Sequence, residues 1–236
     1  WFTALVVLLL VFAGWWYVRA AIQHGNAVNE RIDTSLAREC KMFYKGDKQA
    51  MEDAGRPVHA YDLNDQRVYM NYAMGMRESD YQMFVTRMRM PMFMWVLSLA
   101  ADGTPRSAMD KDALEQIYTA FFPVARAFNI GLSALLLVAM FFALRPYLGN
   151  WFGVAFVLAA AFQLFILKSP YVQPEVLQTT IITVAVAWIV RALANPTWWN
   201  ALVAGLLLCF WHMTKANALV AVGLWLWLGY GVGAGA

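Results

Sequence analysis

Charge and thiols are both scarce in this chain, and each shortage excludes something. Only 14% of the 236 residues are charged against 61% hydrophobic, which is too apolar for a soluble domain of this size. Acids nearly vanish after Arg126: residues 19–126 hold 14 of the 15 Asp plus Glu and 14 of the 18 Lys plus Arg, leaving Glu175 as the lone later acid. The signs balance within that polar stretch and no basic patch stands out, so the net charge of +3 does not describe a nucleic-acid surface. Cys40 lies in the polar stretch and Cys209 inside an apolar run, which argues against a bridge between them, and their spacing is not that of a metal site. Phosphate loops, dinucleotide fingerprints, His-Glu-x-x-His and serine elbows are all missing. Asp110-Lys111-Asp112 matches the Asp-x-Asp nucleotide-sugar pattern only by accident of composition.

What is present is a series of apolar runs. Each approaches the roughly 20 residues needed to cross a bilayer as a helix, with every backbone group satisfied internally. They cover Trp1–Val18, Phe128–Leu144, Trp151–Leu167, Val176–Val190, Trp198–Met213 and Ala216–Val232. Arg145-Pro146, Lys168-Ser169-Pro170, Arg191 with Asn195-Pro196, and Lys215 punctuate them. The expected fold is an all-α polytopic membrane helix bundle of about six transmembrane helices. Its parts are a first span over 1–18, a long polar loop over 19–126 carrying amphipathic or interfacial helices, and the remaining spans over 127–236. Trp15, Trp16 and Tyr17 read as an interfacial aromatic belt ahead of Arg19. Beginning inside an apolar run and ending on Gly-Ala-Gly-Ala, the sequence reads as part of a longer chain.

Within the loop, Arg19–Arg56 reads as a charged helical stretch ended by Gly55 and Pro57. Asp62-Leu63-Asn64-Asp65 offers caps for a helix through Arg67, Tyr69, Tyr72, Ala73 and Met76, with Asp65 in its first turn. Tyr81–Ala100 mixes Met, Phe and Val with Arg87 and Arg89, then turns fully apolar over a run too short to span. Alternating the spans puts the loop, the Lys168–Glu175 turn and the His212–Lys215 turn on one face, with Arg145 and Arg191 on the other.

That face collects the residues able to do chemistry. Asp65 is a carboxylate able to accept a proton from a hydroxyl, although a cap is its commoner role. Arg87, Arg89 and Lys215 either snorkel toward head groups or hold a phosphate, the guanidinium groups in bidentate fashion and lysine as a compact charge. Glu175 opens a span after Pro170 and Pro174, and His212 stands about one turn before Lys215. Asp65, Glu175 and His212 would be the ligand set if a divalent metal were used, a weak pattern because they come from separate segments.

The run Asn64-Asp65-Gln66-Arg67-Val68-Tyr69-Met70-Asn71-Tyr72-Ala73 resembles the start of the multi-spanning GT-C glycosyltransferases, relatives of the protein O-mannosyltransferases and aminoarabinose transferases. In that family an acid, often Asp-Glu, precedes an aromatic and an alanine; here Gln66 stands in place of the second acid. Thr86-Arg87-Met88-Arg89-Met90-Pro91-Met92, Tyr171-Val172-Gln173-Pro174-Glu175 and His212-Met213-Thr214-Lys215-Ala216-Asn217-Ala218-Leu219 are similar to its basic-proline segment, loop acid and later basic loop.

The resemblance implies a catalytic base at Asp65 and a donor-phosphate site at Arg87, Arg89 and Lys215, shaped by Glu175, His212, Tyr69 and Gln66. It implies a polyprenyl-phosphate sugar donor, an acceptor hydroxyl, inversion at the sugar carbon and no certain cofactor. The polar loop would lie outside the cytoplasmic membrane of a bacterium, with lipid and other membrane proteins as neighbours. The other reading of the sequence is a non-catalytic subunit that keeps the same fold inside a membrane assembly.

Overall fold

The computed structural model describes residues 2–31, 65–77, 91–101, 111–214 and 223. All regular structure among them is helical. Six helices follow one another: α1 (Phe2–Arg31), α2 (Gln66–Arg77), α3 (Pro91–Ser98), α4 (Lys111–Ala160), α5 (Glu175–Ala194) and α6 (Trp198–Thr214). A π-helical turn, Ala161–Phe165, and a last α turn, Ile166–Lys168, prolong α4. The expected span Ala216–Val232 and most of the charged stretch up to Arg56 lie outside the described residues.

Two helical segments are long and apolar enough to cross a membrane, Gln116–Lys168 and Glu175–Ala194. The first has 53 residues and would be about 80 Å long if straight, far more than one bilayer core. It does not run straight. At Gly149 the backbone takes φ 70° and ψ 179°, a conformation open to glycine but strained for other residues, and the chain reverses. The two arms then lie side by side: a Cβ on Gly153 would meet the Phe141 ring at 3.3 Å, and Asn129 reaches the carbonyls of Ser169 and Tyr171, forty residues further on. The sequence break at Arg145-Pro146 is therefore not where the arms part. Pro146 remains helical, and Arg145 bonds through Nε to Asn150 Oδ1 at 2.8 Å across the reversal.

Alternation continues from there. Tyr147 donates to the Ala187 carbonyl at 2.7 Å and Thr180 faces Met140, so α5 runs in the same direction as the first arm. α6 returns beside it after Asn195-Pro196. α1 runs against the first arm of α4, with Tyr17 bonded to Ser133 at 2.6 Å and Asn26 accepting from Arg126. The ends of α1, the second arm and α6, with the start of α4, thus gather at one end of the body. Trp151, Trp198 and Trp199 stand exposed at the other.

α1 does not end near Val18; it stays helical to Arg31. Hydropathy falls at Arg19, but Arg19 points away from the body, 5.6 Å over the Trp15 ring, and the inward face of Tyr17, Ala21 and Gly25 continues. Small residues allow close approach there: a Cβ on Gly25 would lie 3.0 Å from Pro170 Cβ and 3.3 Å from Arg126 Cζ. Packing therefore carries the helix past the point where apolar composition stops.

α2 and α3 cover the gathered end. Met70, Ala73 and Met74 of α2 and Phe93 and Leu97 of α3 join Phe121 and Phe122, Val172, Leu177, and Leu208 and Trp211 in one buried cluster. Each large side chain fully removed from water there contributes roughly 1.5–3 kcal/mol. The eight-residue α3 is apolar and buried on Phe93, Met94 and Leu97, yet far too short to span.

Candidate functional site

The covered end brings together Asp65, Gln66, Tyr69 and Glu175 of the sequence-derived site residues. α2 begins at Gln66, and Asp65 stands just before it with φ 63°, a left-handed conformation that Asp tolerates better than most residues. Its carbonyl accepts the Tyr69 N–H at 3.1 Å, so Asp65 occupies the capping position rather than the first turn, and its side chain is exposed. Gln66, the next residue, is 1% exposed. Its Oε1 accepts the Val172 N–H at 2.8 Å, which ties the first turn of α2 to the turn between α4 and α5.

That turn is rigid for a reason on α4. Asn129 is buried and donates through Nδ2 to both the Ser169 carbonyl, at 3.0 Å, and the Tyr171 carbonyl, at 2.7 Å. The turn delivers Glu175 as the first residue of α5, capped by Pro174, where the helix dipole favours a carboxylate. Glu175 is partly buried, and its Oε2 has no hydrogen-bond partner among the described residues. An open buried carboxylate oxygen is an acceptor for a donor from beyond the described residues, because leaving it unpaired is costly.

Tyr69 connects the two acids. One turn into α2, its ring packs edge-on against Phe93 with centroids 5.5 Å apart. Burial, then the negative charge of Glu175, then that of Asp65, push its phenol up to about 12. The phenol therefore stays protonated at neutral pH and is a hydrogen-bond donor held in the field of two carboxylates. Beyond it, Tyr118 donates to Asn71 Oδ1 at 2.7 Å and Arg67 lies 4.8 Å over the Tyr118 ring, fastening α2 to α4.

His212 is exposed in the last turn of α6, at the same end, but among the described residues it does not join Asp65 and Glu175. No three His, Cys, Asp or Glu side chains gather into a metal site among those residues, so the Asp65, Glu175 and His212 ligand set does not form there. The α2 helix dictates this, since Asp65 leads away from the body at an exposed cap while Glu175 sits against it. Arg87, Arg89 and Lys215 lie outside the described residues.

Sequence reasoning passed over Asn129 and gave Asn71 no role, and it took Gln66 as a site-shaping residue in the place of an acid rather than as a fastening between segments. The signal was available: a primary amide inside an apolar stretch such as Ala127-Phe128-Asn129-Ile130 needs an internal partner. Compared with known protein families, with curated proteins and with solved structures, the chain matches none.

Proposed function

We propose that the chain is a membrane glycosyltransferase of the GT-C kind, moving a sugar from a polyprenyl-phosphate donor to an acceptor hydroxyl at the extracytoplasmic face of a bacterial cytoplasmic membrane. The observation that supports it best is the convergence on Tyr69 of the fields of Asp65 and Glu175, from two helix starts joined through Gln66 and Val172. In this reading the exposed Asp65 carboxylate takes the acceptor O–H proton as the acceptor oxygen attacks the sugar carbon. The bond from that carbon to the phosphate oxygen breaks, and its electron pair leaves with the lipid phosphate. Glu175 Oε2 and the Tyr69 phenol orient the sugar or acceptor hydroxyls by accepting and donating hydrogen bonds. Arg87, Arg89 and Lys215 neutralise the departing phosphate.

A single displacement inverts the sugar carbon, and a retained anomer in the product would overturn the mechanism. The first test is transfer from labelled polyprenyl-phosphate sugars in membranes from cells expressing the complete gene. Asp65→Asn should abolish it with folding and expression unchanged.

One observation favours the other reading, a non-catalytic subunit. Gln66 occupies the place of the family's second acid, and its carbonyl is consumed by a bond to the backbone of the chain. Absence of transfer by the wild type, together with co-purification of other membrane proteins, is the outcome that reading expects.

A further inference from the structure

The last turns of α6 bring three soft donors together on one face. Cys209 stands one helical turn before His212 (i+3) and Met213 (i+4), so its thiol is a neighbour of each on the helix surface. Cys209 is exposed, His212 is exposed and Met213 is partly so. The Cys209 thiol donates to the Met213 thioether sulfur across 3.8 Å. Among the described residues none of the three belongs to a buried apolar cluster, and a thiol pointed at a thioether gains little as a hydrogen bond, since both partners are weak.

We propose that Cys209, His212 and Met213 form a binding site for a soft monovalent metal ion, copper(I) in particular. Three arguments carry it, and none depends on the transferase reading. The first is separation. Two metal–sulfur bonds of ~2.3 Å that span 3.8 Å open at about 110°, so one ion can bridge both sulfurs with little movement of either side chain. The second is donor type: thiolate and thioether select copper(I), and imidazole accepts it as a third ligand. The third is charge. A thiolate, a thioether and a neutral imidazole carry one negative charge, so a monovalent ion makes the site neutral on a helix whose neighbours Leu206, Leu207 and Phe210 are apolar. A divalent ion such as zinc would leave a net positive charge in those surroundings and a ligand missing from its usual four. Binding forms one sulfur–metal bond at Cys209 and releases one thiol proton to solvent.

The test uses the full chain in detergent micelles under anaerobic conditions, in a Cys40→Ser background so that Cys209 is the sole thiol. Copper(I) is supplied from its bicinchoninate complex, whose colour reports how much the protein removes. The expected result is one copper(I) per chain, no binding in Cys209→Ser, and affinity lowered at least about tenfold in both Met213→Leu and His212→Gln. Met213→Leu preserves side-chain volume, and thermal unfolding of each apo variant verifies that the fold is kept. Unchanged copper(I) affinity in Met213→Leu or Cys209→Ser, or displacement of copper(I) by an equal amount of zinc, would overturn the proposal. As a second readout, copper(I) buffered by bicinchoninate at a fixed free level should slow maleimide labelling of Cys209 more in the Cys40→Ser protein than in its Met213→Leu variant; equal slowing of both would also overturn it.

Discussion

The two ends of the helical body are built on different principles. At one end, α2 and α3 lie across the helix ends, and the amides of Gln66 and Asn129 are buried and bonded to the backbone of the Lys168–Glu175 turn. At the other, the chain turns at Gly149 and again at Asn195-Pro196, and none of the described helices lies across those turns. Trp198 is 76% exposed and Phe152 75% there, although the Asn195-Pro196 turn has one buried amide of its own, Asn200, whose Nδ2 donates to the Asn195 carbonyl at 2.8 Å. The amides of Gln66 and Asn129 tie separate helices, α2 and α4, to the turn before α5, whereas Asn200 bonds within its own turn, to Asn195 five residues earlier. The pre-organised end is where Glu175 and Tyr69 are found, as expected for groups that must meet a ligand in one geometry.

The contrast is easiest to break by emptying the covered end. Phe93→Ala, at a side chain 1% exposed, should destabilise by about 3–5 kcal/mol, whereas Trp198→Ala at the bare end should stay within roughly 0.5 kcal/mol. Thermal unfolding in micelles followed by tryptophan fluorescence measures the first, and circular dichroism the second. Equal losses would mean that the two ends are equally organised.

The buried amides come next. Asn129→Leu strands the Ser169 carbonyl and leaves the Tyr171 carbonyl only the Gln173 N–H, and Gln66→Leu strands the Val172 N–H; each should cost about 1–3 kcal/mol. Gln66→Leu should also raise hydrogen exchange at the Val172 amide, because nothing else described bonds to it.

Tyr69 sharpens the comparison through pH. Its phenol is pushed up to about 12, above the model-compound value of 10.0, so the folded state holds its proton more tightly than the unfolded chain. The stabilisation is fully present below pH 10 and should be lost as pH rises from there through about 12, a drop that Tyr69→Phe removes. In an ultraviolet phenolate titration, Glu175→Gln should lower the Tyr69 value more than Asp65→Asn does, following the order of the two charges. The smallest effect belongs to the bare end. Asn150→Ala removes only the exposed contact to Arg145, and a melting shift larger than about 0.5 kcal/mol would show more structure there than the contact explains.

Much of the helical body was legible because apolar runs and their punctuation are local. Glu175 after two prolines, and Trp198 after Asn195-Pro196, mark helix starts that the structure places at those residues. The short apolar run at Phe93 was readable as non-spanning for the same reason. The reversal at Gly149 was harder to see, since Arg145-Pro146 is the louder breaker, yet proline near a helix end sacrifices only one hydrogen bond. The length of α1 was hidden because its continuation past Arg19 depends on Ala21 and Gly25 fitting against Pro170 and Arg126, far away in sequence.

The candidate site divides in the same way. Glu175 could be singled out by its isolation, and Asp65 and Tyr69 by the family resemblance, but their mutual field could not be read. Gln66 read as a missing acid, whereas in the fold its amide is a fastening between α2 and a distant turn.

Composition and periodicity alone determined that this protein is helical, that it carries helices apolar enough for a membrane, and which few charged side chains stand out against that background. Only the tertiary structure decided which end of the body is organised, where Asp65 stands relative to its helix, and that Tyr69 titrates under two carboxylates. The reason is range: helix formation depends on neighbours a turn away, whereas the partner of a buried amide and the field at a phenol depend on residues a hundred positions apart, and folding alone brings these together.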